Sequence, residues 1–216
     1  MTNNKLSALI DKQQSLIEDD VRNYIGASSI GSECLRQIWY AYKGVKAEKV
    51  PSKIRRTWAI GKHLEGLIIE WLHDAMVLID VDTRTYHDKN VHIFQGHFDG
   101  IVFVGKTKAI LEIKTAKDAS FKIFIKNGLK AWNPQYYAQV QSYMGMSGID
   151  KTFMLVLNKD NSELSDELIY FDQEFYDGLV AKALLISTAT LIPNRINNSP
   201  LFYKCKMCKY NKVCHE

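Results

Sequence analysis

The stretch from Gly96 to Lys117, GHFDGIVFVGKTKAILEIKTAK, restricts this chain more than any other. Two arms rich in Val, Ile, Leu and Phe flank a polar turn at Gly105-Lys106-Thr107-Lys108, which is the composition of a β-hairpin. Three charged residues interrupt the arms: Asp99, Glu112 and Lys114. Side chains alternate faces along a strand, so Glu112 and Lys114 share one face and Ile113 takes the other. A two-residue connection at 105–106 pairs Asp99 with Glu112, and a four-residue one at 105–108 pairs it with Lys114. Both registers keep all three on one face, because only an odd slip reverses a strand. Direct cross-strand neighbours lie ~5 Å apart and diagonal ones ~7–8 Å. Two carboxylates at that range can share a hard cation, with the ammonium beside it. A wet surface hairpin would also tolerate these charges. The apolar neighbours Ile110, Leu111 and Ile113 argue for a central strand, where inward charges need a reason such as a metal site.

The chain has 216 residues, enough for one large domain with its own core. Its hydrophobic content of 46% and charged content of 24% are ordinary for a soluble globular protein. A formal charge of +4 permits an anionic partner without demanding one. No apolar run approaches the ~18 residues of a membrane span, and the polar start MTNNKLSALIDKQQ is no signal peptide. A cytoplasmic location and no membrane partner are therefore expected.

Helical spacing of Leu6, Leu9, Ile10, Ile17 and Val21 predicts a helix over 4–25, followed by a loop at 26–32. A short amphipathic helix from Glu33 stops near Gly44, and a polar linker covers 45–53. A long helix over 54–74 carries Trp58, Ile60, Leu64, Leu67, Ile68, Trp71 and Leu72. Strands are predicted at 76–82, 91–95, 97–104 and 109–114, helices at 118–128 and 134–147, strands at 152–158 and 167–172, and a helix at 173–192. The tail from Asn194 reads as loop. The fold class is α/β, a central mixed sheet flanked by helices. The organisation is one domain with an N-terminal helical part (1–53), a core (54–193) and a cysteine-rich tail (194–216).

The cysteines are the second strong signal. Cys205-Lys206-Met207-Cys208 is a CxxC, Cys214 follows after five residues, and Cys34 lies far upstream. In a reducing compartment a CxxC points to metal or redox chemistry before a disulfide. Four thiolates suit either zinc or a [4Fe–4S] cluster, and spacing alone does not separate them.

GHFDG followed by LEIKTAK resembles the D…(D/E)xK core of the PD-(D/E)xK nuclease superfamily, in its RecB-like branch. Gln139 and Tyr143 match that branch's QxxxY helix, and Gly61-Lys62-His63-Leu64-Glu65 matches the place of a metal-binding Glu or His after a glycine. The likeness runs over roughly residues 28 to 214. One cysteine before the core and CxxC…C after it is similar to the CRISPR-associated RecB-type nuclease and the AddB nuclease domain. Phage YqaJ-like exonucleases belong to the same resemblance.

The resemblance implies a metal-dependent deoxyribonuclease, an exonuclease first and a structure-specific endonuclease second. A DNA-binding subunit of a recombination or CRISPR adaptation complex, active only with its protein partner, is the reading from another class. Mg²⁺ or Mn²⁺ would be held by Asp99, Glu112 and the Ile113 carbonyl, with Glu65 preferred over His63 as the ligand from the long helix. Lys114 would position or help deprotonate the attacking water. Gln139 and Tyr143, one turn apart, would orient the site and touch the DNA backbone, and Gln135 shares their face. Cys34, Cys205, Cys208 and Cys214 would hold a structural [4Fe–4S] cluster, with Zn²⁺ as the alternative. Lysines 117, 122, 126 and 130 could follow phosphates.

Overall fold

The computed structural model describes residues 5–18, 22–82 and 84–216. The hairpin forms as β5 (Gly100–Val104) and β6 (Thr107–Ala116), joined at Gly105-Lys106 with Val104 opposite Thr107 and Gly100 opposite Leu111. The two-residue register is thus the one adopted. Gly105 sits at φ +59°, a left-handed turn position that glycine takes at no steric cost.

β2 (Leu78–Asp80) pairs antiparallel with β5, β7 (Lys151–Asn158) runs parallel to β6, and β8 (Leu164–Tyr170) pairs antiparallel with β7. The result is a five-stranded mixed sheet with β6 at its centre. The parallel β6–β7 pair needs a long crossover, supplied by α5 (Asp118–Trp132) and α6 (Pro134–Ser147). The sequence breaks these helices deliberately. Gly128 sits at φ +73° inside α5, and the Glu167 carboxylate from β8 accepts the Leu129 N–H at 2.6 Å just after it. Asn133 caps α6 by accepting from the N–H groups of Gln135 and Tyr136, and Gly148 ends it in the left-handed region.

Alternation along β6 divides the core. Ile110 and Ala116 join a large cluster with α5, α6 and α7 (Gln173–Thr188), whereas Leu111 and Ile113 join a smaller one with Leu64, Ile68 and Leu72 of α4 (Ser52–Asp74). Helices therefore cover both faces of the sheet, as the α/β reading expects.

A second, three-stranded sheet is made of β1 (Ile25–Gly26), β4 (Phe94–Gly96) and β3 (Tyr86–His87), with β4 in the middle. It and the single-turn helix α2 (Ala27–Ile30) replace the expected loop at 26–32. Such short elements carry no periodicity, and here long-range pairing and the burial of Ala27 and Ile30 sustain them. α2 leans on α6 so closely that a Cβ on Gly31 would lie 2.7 Å from the Gln135 Cα.

Other boundaries shift. The N-terminal helix spans only Leu6–Ser15 (α1), has no buried residue, and gives its apolar spacing no core to face; Val21 lies outside the described residues. The helix after Cys34 is α3 (Leu35–Tyr42), and α7 stops at Thr188 rather than 192. The tail holds two short helices, α8 (Tyr203–Lys206) and α9 (Asn211–His215). Polar contacts bind it to the N-terminal part: the Glu48 N–H donates to the Lys209 carbonyl at 2.7 Å, and Lys204 pairs with Glu33. No helix among the described residues is long and apolar enough to cross a membrane.

The α2–α6 contact has a direct test. Gly31→Ala forces backbone apart and should cost about 1–3 kcal/mol in chemical denaturation. Gly66→Ala, in the interior of α4 with open space around it, should instead gain about 0.5–1 kcal/mol. Equal effects at the two positions would contradict the packing described.

Candidate active site

β5 begins at Gly100, opposite Leu111, so the last half of β6 has β7 on one side and no strand on the other. Asp99, the residue before β5, fills that gap: its Oδ2 accepts the Ile113 N–H at 2.8 Å. A side chain thus takes the place of the missing strand. The N–H and C=O of one residue point to the same edge of a strand, so the Ile113 peptide faces the opening too.

Glu112, continuing the hairpin register opposite Asp99, is only 2% exposed. One of its oxygens, Oε1, is held by the Lys114 ammonium. The other, Oε2, is buried with no hydrogen-bond partner. An unpartnered carboxylate oxygen in the interior is costly unless a cation meets it. Burial and then the neighbouring Glu112 push the Asp99 carboxyl up to about 8, against the pull of Lys114. Burial raises Glu112 as well. Burial works against the Lys114 charge, but Glu112 and Asp99 outweigh it, and its pKa is raised. Lys114 therefore carries its proton at neutral pH. Its Nζ also lies 5.2 Å from the centre of the Tyr136 ring, on α6.

The cleft, of about 220 Å³, is bordered by Asp99, Glu112, Lys114, Glu65, Gln139 and Tyr143. Glu65 comes from α4 and pairs with Lys62, whose pKa is raised chiefly by that hydrogen bond. Gln139 and Tyr143 are buried, the Gln139 amide donating to the Tyr143 hydroxyl at 2.6 Å. Burial, then Glu112, holds the Tyr143 phenol well above its ordinary value. The backbone leaves room for that ring at Gly96, where a Cβ would lie 2.8 Å from it.

His63 is exposed and does not border the cleft, a correction to its expected place there: two residues from Glu65, it lies on another side of α4. Gln135 is also elsewhere, at the start of α6, where its amide donates to the Ser28 carbonyl at 2.7 Å. Sequence reasoning missed Arg22, Tyr24 and Ser28, which border the cleft beside Lys62. They precede or belong to two-residue and four-residue elements with no readable pattern.

The four cysteines border one cavity of about 370 Å³ between the start of α3, the start of α6 and the tail. None of the four is in a disulfide. Arg36 donates to the Cys214 sulfur at 3.8 Å, and the Tyr210 N–H to the Cys208 sulfur at 3.4 Å. Burial raises the Cys205 and Cys208 thiols, Cys34 and Cys214 adding to it, while the Tyr210 N–H pulls Cys208 the other way. Among the described residues, no group of three or more His, Cys, Asp or Glu side chains is arranged to hold a metal ion, neither the four cysteines nor Glu65 with Asp99 and Glu112.

The YqaJ-like viral recombinase domain matches residues 20–150, which hold α4, the hairpin and all of α5 and α6. The chain belongs to that family. No curated protein matches it. Among solved structures it is similar to an alkaline exonuclease, LHK-Exo from Laribacter hongkongensis, at 15% identity and a TM-score of 0.60, over 77% of this chain and 87% of that one. It is also similar to the protein SSO0001 at 19% identity and a TM-score of 0.58, over 98% and 96%. A phage-related exonuclease from Haemophilus somnus 129PT matches at 15% identity and a TM-score of 0.55, over 81% and 94%. At these identities the shared feature is the fold.

The crowded carboxylates set a pH dependence. A carboxylate whose folded pKa is raised stabilises the fold only below its unfolded value, and that contribution is lost as pH rises from about 4 to about 8. Asp99→Asn, which can still accept the Ile113 N–H, should therefore raise the unfolding free energy of metal-free protein at pH 8 by an amount on the order of a few kcal/mol, read by chemical denaturation. The gain should shrink toward zero near pH 4. A destabilised variant at pH 8 would show that Asp99 is held by favourable pairing instead.

Proposed function

We propose that this protein is a divalent-metal-dependent deoxyribonuclease, acting as an exonuclease, with its chemistry at Asp99, Glu112 and Lys114. The observation that carries the reading is the buried, unpartnered Glu112 Oε2, on a residue opposite Asp99 in the hairpin register, an anionic pair that fits a hard cation. The family match adds recombination, and two of the similar folds are those of exonucleases, one of them also solved with dAMP.

Asp99, Glu112 and the Ile113 carbonyl would hold Mg²⁺ or Mn²⁺, with Glu65 from α4. Such an ion neutralises phosphate charge and acidifies water. Lys114, protonated at neutral pH, serves as a fixed cation for charge that builds on the phosphate oxygens rather than as a base. Gln139 and Tyr143 hold the wall of the cleft through their mutual hydrogen bond. Lys62 and Arg22 at its rim offer cationic heads to the phosphates on either side. Water attacks phosphorus, the P–O bond to the departing nucleotide breaks, and its oxygen takes a proton.

The four-cysteine cavity is a separate structural centre in this reading. What supports a centre here is the convergence of Cys34 with the CxxC and Cys214 on one cavity, a set that suits either a [4Fe–4S] cluster or Zn²⁺ once the thiols close around it. The chain works as one domain, because the tail is bound to the N-terminal part.

Labelled linear duplex and single-stranded DNA, with and without Mn²⁺, test the activity. Wild-type protein should degrade DNA from its ends only with the metal. Glu112→Gln should lose on the order of 100-fold or more in rate while remaining folded. Lys114→Ala should lose a similar factor yet keep its Mn²⁺ affinity, since an ammonium is no ligand. Full activity of the Glu112 variant would sink the site.

Protein made without oxygen should carry iron and absorb broadly in the visible range, and Cys214→Ala should lose both. One zinc per chain and no iron would replace the cluster with a zinc centre.

A further inference from the structure

α4 carries one stripe of residues at helical spacing: Ile54, Trp58, Gly61, Glu65, Ile68 and Leu72. Its C-terminal part is covered. Ile68 is buried and Leu72 packs beside it over the sheet, and Glu65 reaches the cleft. The stripe then runs on past the cleft, beyond the end of the sheet: a Cβ on Gly61 would come no nearer than 3.9 Å to Thr115, near the end of β6. Ile54 and Trp58, the next residues of the stripe, are 37% and 58% exposed. α1 does not cover them. Its hydrogen bonds, made by Asp11, go to Ser52 and Arg56 on the other side of α4, and Ile17 just beyond it takes Arg55.

An indole with more than half its surface in water, one turn from Lys62 and two from Glu65, is an apolar shelf beside a phosphate-binding cleft. The surrounding charge says what covers it. Residues 43–62 hold seven basic side chains against one acidic, Glu48, and Lys46, Lys49 and Lys53 are exposed. A second copy of this chain, itself of net charge +4, would be repelled there. A polyanion with aromatic faces would not.

We infer that Trp58, with Ile54 behind it, is a stacking platform for an unpaired nucleobase of the DNA strand entering the cleft. The basic run over 43–62 holds the phosphates of the same strand. The inference rests on the nuclease reading above and names the part of the strand the cleft itself does not hold. Every base has a π-face, so the platform is tolerant of sequence. It holds an end as a single strand, which lets one backbone alone descend to Glu112. Trp58 is thus a positioning residue, acting on substrate next to the reacting phosphate.

Binding in EDTA separates this from electrostatics. The probes are fluorescently labelled oligothymidylate and an abasic phosphodiester of the same length and charge. Wild type should bind the oligothymidylate about 5- to 150-fold tighter. Trp58→Ala should lose most of that ratio while its affinity for the abasic strand and its salt dependence stay unchanged. Trp58→Phe should keep much of it. Because Trp58 is exposed, the melting temperature of both variants should match wild type. Trp58→Ala binding oligothymidylate as tightly as wild type would overturn the inference, and so would equal wild-type affinity for the two strands. If wild type degrades DNA with Mn²⁺ in either case, the nuclease reading stands without the platform. If wild type neither binds nor degrades DNA, that reading falls and the platform falls with it.

Discussion

The molecule is organised by a hydrogen bond from the Ile113 N–H to the Asp99 carboxylate. β5 stops pairing with β6 at Leu111, and an unpaired strand edge in the interior would leave backbone groups unsatisfied. Asp99 satisfies one of them with a charged side chain. That choice places a carboxylate opposite Glu112 in the interior, where burial and then Glu112 raise the pKa of Asp99 and burial raises that of Glu112. The sheet could have been completed with one more residue of β5. Opening it there creates the cleft and leaves room for α4 and α6 to bring Glu65, Gln139 and Tyr143.

The rest of the fold supports that opening. α4 closes the smaller core with Leu64, Ile68 and Leu72 and so sets the height of Glu65 above the sheet. α6 is capped at both ends, by Asn133 and Gly148, which fixes where Gln139 and Tyr143 stand. Gly96 admits the Tyr143 ring, and Gly31 lets α2 press on α6. The small sheet is then a buttress that brings Arg22, Tyr24 and Ser28 to the mouth of the cleft. The cysteine cavity lies at the other side of α2 and the start of α6, and Gln135 touches both neighbourhoods through Ser28.

Much of this was legible in the sequence because the hairpin carries two signals at once. Alternation of Ile110, Leu111, Ile113 and Ala116 gives a central strand, and the charges between them fall on one face in either register. The sequence left two turn lengths open, and the pairing of Val104 with Thr107 settles the register. α4 was readable from its long apolar spacing, and its exposed N-terminal half was not, since Trp58 fits a core pattern as well as a shelf. β1, β3 and α2 are two to four residues long and exist through partners distant in sequence, so no local pattern announces them. His63 and Glu65 were close in sequence but distinguishable only once the sheet fixed which side of α4 faces the carboxylates. Helical spacing over 4–25 overstated α1, whose apolar residues meet no core.

The central claim is that Asp99 and Glu112 are strained toward protonation in the metal-free protein and are relieved by a cation. Calorimetric titration of Mn²⁺ at pH 7, repeated in buffers of different ionisation enthalpy, counts the protons released on binding. With Asp99 raised to about 8, binding should expel about one proton per ion at pH 7, and the release should fade as the pH passes above 8. Mn²⁺ binding with no proton release at pH 7 would contradict the account, as would a release that does not change with pH.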